Sequence, residues 1–235
     1  MVFSLSIIIP AFNEEDSIGK SLDQIVSFLS KQDFNFEIIV INDGSKDNTN
    51  QIVKQKSGVK LITLEENKGK GFAVKTGVLE ASNNFILFMD ADHAIPINYI
   101  LEFKNEISNY DIVIGSKYLN QTENYPFYRK VVGKVFSFLK YVITGLKIKD
   151  TQCGFKLFRS EVAKDLFSLS QITGWCFDVE ILLLSRMKNY SVKEQAIKLS
   201  DINAPSNISI WNSGTQMFMD LLKLRMKFKR GDYKL

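Results

Sequence analysis

Short apolar runs alternate with helix-length amphipathic segments through the first half of the 235-residue chain. The apolar runs are rich in β-branched residues, and each is followed by a segment with helical spacing of its apolar side chains. Strands that alternate with helices form parallel β-α-β units, whose ligands bind at the carboxyl ends of the strands. The pattern therefore predicts an α/β fold with a mostly parallel sheet flanked by helices. The predicted strands are Leu5–Ile9, Phe36–Ile41, Val59–Leu64, Phe85–Met89 and Ile112–Ile114.

The helices are predicted from the same spacing. The first strand is expected to end at Pro10, and Asn13 is expected to cap the first helix. The second half is less regular, with a loop and then a strand over 151–158 and a strand over 191–199. No repeat or linker is visible, so we expect one domain over 1–210 and a basic amphipathic helix over 211–235. Helices are predicted over 18–29, 46–56, 71–81, 98–107, 125–146, 175–188 and 215–229.

Basic residues are concentrated in two segments. Residues 125–149 hold six basic side chains and no acidic one, and residues 221–235 carry a net charge of +5. Because the whole chain carries +4, the remainder is acidic, at −7. Apolar stripes bordered by lysine and arginine are typical of helices at a membrane interface, although such stripes also pack on a protein core. We expect peripheral membrane contact, more firmly for 125–149 than for the last helix.

Composition excludes several classes of site. His93 is the sole histidine and the chain has two cysteines, which argues against a zinc site of clustered histidine and cysteine and against a disulfide framework. No apolar window approaches the roughly 18 to 20 residues of a membrane span, and we expect no secretory signal. The acidic body also argues against nucleic acid, because phosphate repels carboxylates.

Polar residues follow four of the predicted strands, and these strand ends are expected to converge on a nucleotide pocket. The strongest of the four is Asp90-Ala91-Asp92. Its two carboxylates either share one divalent metal or divide between a metal and a sugar hydroxyl; the alternative is a solvated acidic turn. Asp43 is placed to accept from a base or a ribose, or else to form a turn with Ser45. The lysines of Lys68-Gly69-Lys70-Gly71 would lie near a diphosphate.

Together the motifs resemble those of the family 2 glycosyltransferases with the GT-A fold, and more narrowly the polyprenyl- or dolichyl-phosphate glycosyltransferases. The resemblance covers all but about the last 55 residues, and the motifs are specific as an ordered set. The stretches near Asp150 and Trp175 are more similar to the glucosyl branch than to the mannosyl branch. The matched motifs are Ser6–Glu15, Val40–Thr49, Asn67–Ala73, Phe88–Asp92, Ile114–Tyr118, Asp150–Phe158 and Trp175–Glu180.

The resemblance also implies roles for individual residues. It places Asp92 on a Mg²⁺ or Mn²⁺ ion, Asp90 close to the ribose or the metal, Ala91 in contact with the nucleotide-sugar, and Asp150 at the acceptor side of the reacting centre. Asp178 and Glu180 would lie on the sugar-side helix. The chain departs from the family pattern at Ala94, where mannosyl relatives have a metal-binding glutamine, and at Lys117, where arginine is usual. The base and ribose would be held by Pro10, Ala11, Asn13, Glu14 and Asp43, with Lys68 and Lys70 near the donor.

The implied reaction is the inverting transfer of a hexose to a polyprenyl or dolichyl phosphate at the cytoplasmic face of a membrane. Glucose and UDP are favoured as sugar and carrier. A phosphate monoester is already mostly dianionic at pH 7, so it needs little help from a base. Lys117 and Arg129 are the candidates for positioning it. Attachment would be peripheral, or through a membrane protein partner or a homo-oligomer.

Three other functions stay open on the sequence. A family 2 transferase acting on a saccharide hydroxyl shares the donor site but needs an Asp or Glu base. A sugar nucleotidyltransferase is less favoured, because no glycine-rich run follows the first strand. A basic membrane-binding module without catalytic activity is the non-enzyme alternative.

Overall fold

The computed structural model describes residues 2–119, 137, 139–200 and 210–233, with the backbone alone over 210–218. Within these residues seven strands form one sheet in the order β3-β2-β1-β4-β6-β5-β7. Neighbouring strands are parallel except at β6, which runs antiparallel to both β4 and β5. The predicted mostly parallel α/β sheet is confirmed. The strands are β1 (Phe3–Ala11), β2 (Phe34–Asn42), β3 (Val59–Thr63), β4 (Phe85–Met89), β5 (Ile112–Ser116), β6 (Phe155–Arg159) and β7 (Val192–Ala196).

Helices cover both faces of the sheet, as the near-continuous apolar strands require. Short 3₁₀ turns occur at Ile97–Tyr99 and Lys117–Leu119, and residues 139–144 are helical. The other helices are α1 (Ile18–Leu29), α2 (Thr49–Lys54), α3 (Lys70–Glu80), α4 (Ile100–Glu106), α5 (Ser160–Leu169), α6 (Phe177–Met187) and α7 (Ile210–Arg230).

Each face of the sheet has its own buried core. Successive residues of β1 point into opposite cores. Ile8 lies in the core on the face of α3, α5 and α6, and Ile7 lies in the core on the face of α1 and α4. Both isoleucines are fully buried, and burying such a side chain contributes roughly 1.5 to 3 kcal/mol. The two cores make the sheet a rigid base for the loops at its carboxyl edge.

Two predictions at the end of β1 are wrong. The strand continues through Pro10 to Ala11, which pair with Ile41 and Asn42 of β2. Pairing with β4 stops at Ile8, so the missing N–H of the proline is tolerated beyond that point. Helix α1 begins only at Ile18, and the side chain of Asn13 forms no helix cap.

Several helix predictions differ from the structure. Helix α2 is shorter than predicted because residues before Thr49 form a turn in which Asp47 accepts the N–H and hydroxyl of Thr49. Helix α5 was not predicted at all. Most of the segment predicted as a helix over 125–146 lies outside the described residues, as do Arg129, Lys130 and Lys134. Lys140, counted among the basic residues of that helix, is buried and donates to the carbonyl of Ile148.

Helix α7 begins at Ile210, earlier than predicted, and part of its apolar face packs on the sheet domain. Leu221 and Leu224 are fully buried, and Tyr233 beyond the helix is 6% exposed. All three belong to the core of the α3 face. In the described part of the chain, no helix has the length and apolarity required to span a bilayer.

Candidate active site

The segments that leave β1 and β2 are fastened to each other. The N–H of Asn13 donates to Ser45 Oγ (2.9 Å), and Lys46 N–H donates to Asn13 Oδ1 (2.8 Å). Asn13 has a φ of 55°, a left-handed conformation that asparagine adopts more readily than most residues. Glu14 N–H donates to Thr49 Oγ1 at 2.7 Å. Residues 13–14 are therefore held in a fixed shape beside the end of β2.

Asp43 joins the end of β2 to the end of β3. Its two carboxylate oxygens accept the N–H groups of Lys68 (2.8 Å) and Gly69 (2.9 Å). In the turn after β2, Ser45 N–H donates to the side-chain oxygen of Asn42, so Asn42 rather than Asp43 forms the predicted turn with Ser45. Each carboxylate oxygen has a second lone pair, so contact with a base or ribose stays a prediction for Asp43. Its observed effect is to shape residues 68–71, the lysine turn.

Within the lysine turn, Lys70 points into the site and Lys68 is exposed. Lys70 Nζ lies 2.6 Å from Asp90 Oδ1 and 4.8 Å from the centre of the Trp175 ring. Burial lowers the pKa of Lys70, but Asp90 and then Asp178 outweigh burial and raise it above the ordinary value. Lys70 is thus a fixed cation at neutral pH, beside the place where β4 ends.

The backbone of Gly154, just before β6, lies against the carboxylate of Asp90. Asp90 N–H donates to Gly154 O at 3.1 Å. A Cβ atom at Gly154 would lie 1.9 Å from Asp90 Oδ2, so this position accepts no side chain while Asp90 keeps its place. Gly154 is a site residue to which the sequence pattern assigns no role, although it lies in the Asp150–Phe158 motif.

Asp92 lies on the turn after β4 and bounds the same cavity as Asp90. Its Oδ1 accepts Ala94 N–H at 3.0 Å. Burial and then the charge of Asp90 raise the pKa of Asp92. The pKa of Glu14 is raised as well, by burial first and then by Asp92 and Asp90. Ala91 faces the core, so any contact with a nucleotide would be through its backbone.

The Asp90 and Asp92 pair fits a divalent cation that is shared with a bound diphosphate. Among the described residues, no three His, Cys, Asp or Glu side chains are grouped closely enough to hold a metal by themselves. Asp90 Oδ1 is buried, and its contact with a polar group is the ion pair with Lys70; it accepts no further hydrogen bond from the described residues. It therefore keeps acceptor capacity. Mg²⁺ is usually held by one or two carboxylates together with substrate phosphates.

Lys117 and Asp150 meet beyond the end of β5. Lys117 N–H donates to Asp150 Oδ2 at 3.3 Å, and Lys117 Nζ lies 3.7 Å from the same atom. Burial lowers the pKa of Lys117, but Asp150 outweighs it and the pKa is raised. The N–H groups of Lys149 and Asp150 both donate to the Glu194 carboxylate on β7. Arg129, the other predicted acceptor residue, lies outside the described residues.

Asp178 is supported by a buried lysine. Lys156 Nζ lies 2.5 Å from Asp178 Oδ1 and donates to Cys153 O at 2.6 Å, and both charged side chains are at most 5% exposed. Burial raises the pKa of Asp178 in spite of Lys156 and Lys70. Breaking a buried pair of this kind costs roughly 3 to 5 kcal/mol. Lys156 lies in the Asp150–Phe158 motif, but the motif by itself does not indicate that this lysine supports Asp178.

Five of the predicted site residues line a single cavity of about 220 Å³. Both charged and apolar residues line it. The predicted residues that the structure describes but that do not line it are Pro10, Ala11, Asn13, Glu14, Asp43, Lys68, Ala91 and Asp150. Its lining includes Lys70, Asp90, Asp92, Lys117 and Asp178 with Gln152, Gly154 and Trp175, and the apolar residues Met89, Ala94, Ile95, Cys153, Ile197 and Leu199.

The family comparison supports the resemblance found in the sequence. The sequence model of the family described as "Glycosyl transferase family 2" matches residues 6–167. This range contains six of the nine residues of β1 and the whole of β2 to β6. It also contains every residue of the cavity lining except Trp175, Asp178, Ile197 and Leu199.

Curated relatives match nearly the whole chain. A "Dolichyl-phosphate beta-glucosyltransferase" of Dictyostelium discoideum is 36% identical, over 98% of this chain and 76% of the relative. Proteins of the same name are 32% identical in Homo sapiens and 31% identical in Saccharomyces cerevisiae. These matches cover 98% of this chain, with 78% of the human and 76% of the yeast protein. The alignments extend past α6 into α7.

Solved structures confirm the predicted GT-A fold. Glucosyl-3-phosphoglycerate synthase from Mycobacterium tuberculosis, in complex with Mn²⁺, UDP and phosphoglyceric acid, superposes with a TM-score of 0.72 at 20% identity. The match covers 95% of this chain and 78% of that one. Its complex with UDP gives a TM-score of 0.70 at 18% identity, over 95% and 80% of the two chains. At this identity the likeness concerns the fold.

Proposed function

The chain belongs to glycosyl transferase family 2, and we propose that it transfers glucose from UDP-glucose to dolichyl phosphate or a related polyprenyl phosphate. The observation that carries the proposal is the 31–36% identity, over 98% of the chain, to relatives named dolichyl-phosphate beta-glucosyltransferase. UDP is chosen as the carrier because the superposed synthase binds UDP and UDP-glucose.

The proposed reaction is an inverting displacement at the anomeric carbon. An oxygen of the acceptor phosphate forms a bond to C1 of glucose while the bond from C1 to the diphosphate oxygen breaks, and the electron pair leaves with UDP. Inversion of an α-linked donor gives the β product for which the relatives are named. The acceptor dianion requires little deprotonation, so the protein's main task is to place two anions and to neutralise the leaving group.

The lysine turn is proposed to hold the donor diphosphate. The ammonium of Lys70 is kept charged by Asp90 and stands between Trp175 and the end of β4. Asp90 and Asp92 would hold Mg²⁺ or Mn²⁺, both of which occur with UDP in the superposed structures. When bound, the ion would neutralise charge on the leaving diphosphate.

Lys117 is proposed to hold the acceptor phosphate. Its ammonium lines the cavity just after β5, two strands along the sheet from β4, and is kept protonated by Asp150. Lys70 and Lys117 line the same cavity as Asp178 and Trp175, and the anomeric carbon is proposed to lie in that cavity, between the two anions. A dianionic acceptor would gain more from Lys117 than a neutral saccharide hydroxyl would.

The apolar residues in the cavity lining support a lipid acceptor. Ala94, Ile95 and Leu199 line the same cavity as Asp92. Apolar lining of this kind favours a prenyl chain, because sugar hydroxyls there would lose hydrogen bonds to water. The alternative, transfer to a saccharide hydroxyl, would in addition require one of the cavity's carboxylates to act as a base.

Radiolabelled UDP-glucose tests the proposal directly. We expect the purified protein, with Mg²⁺ or Mn²⁺ and dolichyl phosphate in detergent, to move label into solvent-extractable lipid. Dolichol without phosphate should accept none, since the phosphate is the nucleophile. Transfer that proceeds only to a soluble saccharide would establish the alternative acceptor. Failure to bind UDP with either metal, measured by thermal shift, would favour the membrane-binding module.

A peripheral position on the cytoplasmic face of a membrane is part of the proposal. Residues 141–149 expose Tyr141 and Val142 beside Lys147 and Lys149. Apolar side chains of this kind insert among lipid headgroups, and each basic residue near an anionic surface contributes about 1 kcal/mol. A membrane protein partner or a homo-oligomer would serve the same purpose.

Changing Lys147 and Lys149 together to Glu is expected to weaken binding to liposomes containing anionic lipid by at least about tenfold. UDP binding should not change, because neither lysine lines the cavity. Cosedimentation at low and high salt measures the effect. The matched control changes Lys20 and Lys31, exposed residues at the two ends of α1 on the other face of the sheet, to Glu. Wild-type protein that stays in the supernatant at low salt would contradict membrane attachment.

A further inference from the structure

The lysine turn rests on a second loop, residues 171–174, called the docking loop. Gly71 N–H donates to Thr173 O at 2.7 Å. A Cβ atom at Gly69 or Gly71 would lie 2.5–2.6 Å from a carbonyl oxygen of the docking loop. Side chains do not approach so closely, so the two segments are in direct backbone contact. The position of Lys70 therefore depends on the position of the docking loop.

The docking loop is held by one buried carboxylate. Glu180, on α6, is fully buried. Its Oε1 accepts Gln171 N–H and its Oε2 accepts Ile172 N–H, both at 3.0 Å. Hydrogen bonds to a buried carboxylate are stronger than bonds between neutral groups, because no water competes for the charge.

The third partner of Glu180 comes from beyond α7. The hydroxyl of Tyr233 donates to Glu180 Oε1 at 2.5 Å, and its ring stacks on Phe228 with the ring centres 4.4 Å apart. Burial and the bond to Glu180 raise the pKa of Tyr233 far above its usual value, so the hydroxyl keeps its proton and remains a donor.

The end of α7 and the residues that follow it hold the docking loop at a second point. Gln171 Nε2 donates to Asp232 O at 3.3 Å, and Lys227 Nζ donates to Gln171 Oε1 at 2.8 Å. The connection from Tyr233 to Lys70 is therefore a continuous series of hydrogen bonds and backbone contacts. Of the residues in this series, Lys70 lines the cavity and the others do not.

We propose that Tyr233 and Glu180 are positioning residues, which set the lysine turn for the donor diphosphate through the docking loop. The inference rests on the proposed function in one respect, that the lysine turn binds the donor. It goes further in giving the segment after α7 a part in donor affinity. Neither residue touches the cavity, so their effect is on where Lys70 stands.

Tyr233→Phe tests the coupling without any ligand. The variant keeps the ring and its stacking on Phe228 and removes only the hydroxyl. We expect the amides of Gly71 and Gln171 to lose about tenfold in hydrogen-exchange protection. Amides of β1 and β4 should keep theirs. Loss of protection confined to residues 228–233 would overturn the proposal.

Tyr190→Phe is the matched control. The hydroxyl of Tyr190 also donates to a carboxylate, Asp165 Oδ2 at 2.8 Å, and its ring packs against the same core. It has no bond to the docking loop. Tyr190→Phe should leave the exchange of Gly71 and Gln171 unchanged, and an equal loss in this control would overturn the proposal by showing a general loosening.

Steady-state kinetics adds a readout that a merely structural role would not move. In Tyr233→Phe the KM for UDP-glucose should rise about tenfold, with kcat and the KM for dolichyl phosphate within about twofold of wild type. Glu180→Gln should act in the same direction. A fall in kcat without a change in the KM for UDP-glucose would overturn the positioning role. Hydrogen exchange tests the link between Tyr233 and the lysine turn even if the wild-type protein transfers no sugar. The positioning role and the proposed function can therefore fail independently.

Discussion

Replacing Asp92 by Asn is expected to lower the rate of sugar transfer by about three orders of magnitude, as loss of a charge at a reacting diphosphate does. The fold should be unaffected, because the observed bond from Ala94 N–H is one that an amide oxygen accepts equally well. Burial and Asp90 hold the pKa of Asp92 above its ordinary value, so ionising this carboxyl costs more in the folded protein than in water. The neutral amide introduced by Asp92→Asn would relieve that repulsion, and Tm should be equal or slightly higher.

Initial rates over a titration of Mg²⁺ and Mn²⁺ measure the effect of this change. Asp23→Asn is the control, because Asp23 is an exposed carboxylate on α1 that pairs with Lys56 outside the cavity. Asp90→Asn should weaken nucleotide binding in addition, through loss of the ion pair with Lys70. An unchanged rate in Asp92→Asn, with a metal still required, would remove Asp92 as a metal ligand.

Gly154→Ala should reduce activity at least about 100-fold, the effect expected from moving a site group by roughly 1 Å. The added methyl group would lie 1.9 Å from Asp90 Oδ2, so the Asp90 carboxylate must leave its place. Overpacking should also cost about 1 to 3 kcal/mol of stability. Transfer rates and urea unfolding separate the two effects.

A double substitution identifies the cause of the Gly154 effect. If the methyl group acts by displacing Asp90, then Gly154→Ala should change the rate of an Asp90→Ala variant by no more than about threefold. Gly58→Ala is the control, since Gly58 has a φ of 75° and open space around its Cβ position. It should lower stability and leave the transfer rate unchanged. Full additivity of the two site changes would show that Gly154 acts elsewhere.

The charged side of the site was predictable because it follows from local pattern. Apolar strands that each end in polar residues are visible in the sequence, and parallel pairing brings their carboxyl ends to one edge. Asp43, Lys70 and Asp90 come together in this way. The roles of the site residues stay predictions, because position alone does not assign a catalytic step.

The antiparallel strand and its consequences were not predictable from local pattern. β6 enters the sheet between β4 and β5, so Gly154 and Lys156 reach the site through a pairing that no sequence spacing indicates. Helix α5 was missed although it follows β6 directly and buries Val162 and Leu166 on one side. Asparagine suits a helix cap by residue type, but the side chain of Asn13 instead accepts the N–H of Lys46, in the turn after β2.

The separation along the chain between the lysine turn and its supports bears on how the protein is made. A ribosome synthesises the docking loop about 100 residues after Lys70, and Tyr233 about 60 residues later still. Strands β1 to β4 are thus synthesised before the docking loop that supports the lysine turn. If the protein binds UDP as proposed, a nascent chain would hold the sugar nucleotide only weakly, and UDP would protect the finished protein from proteolysis but not its shorter translation intermediates.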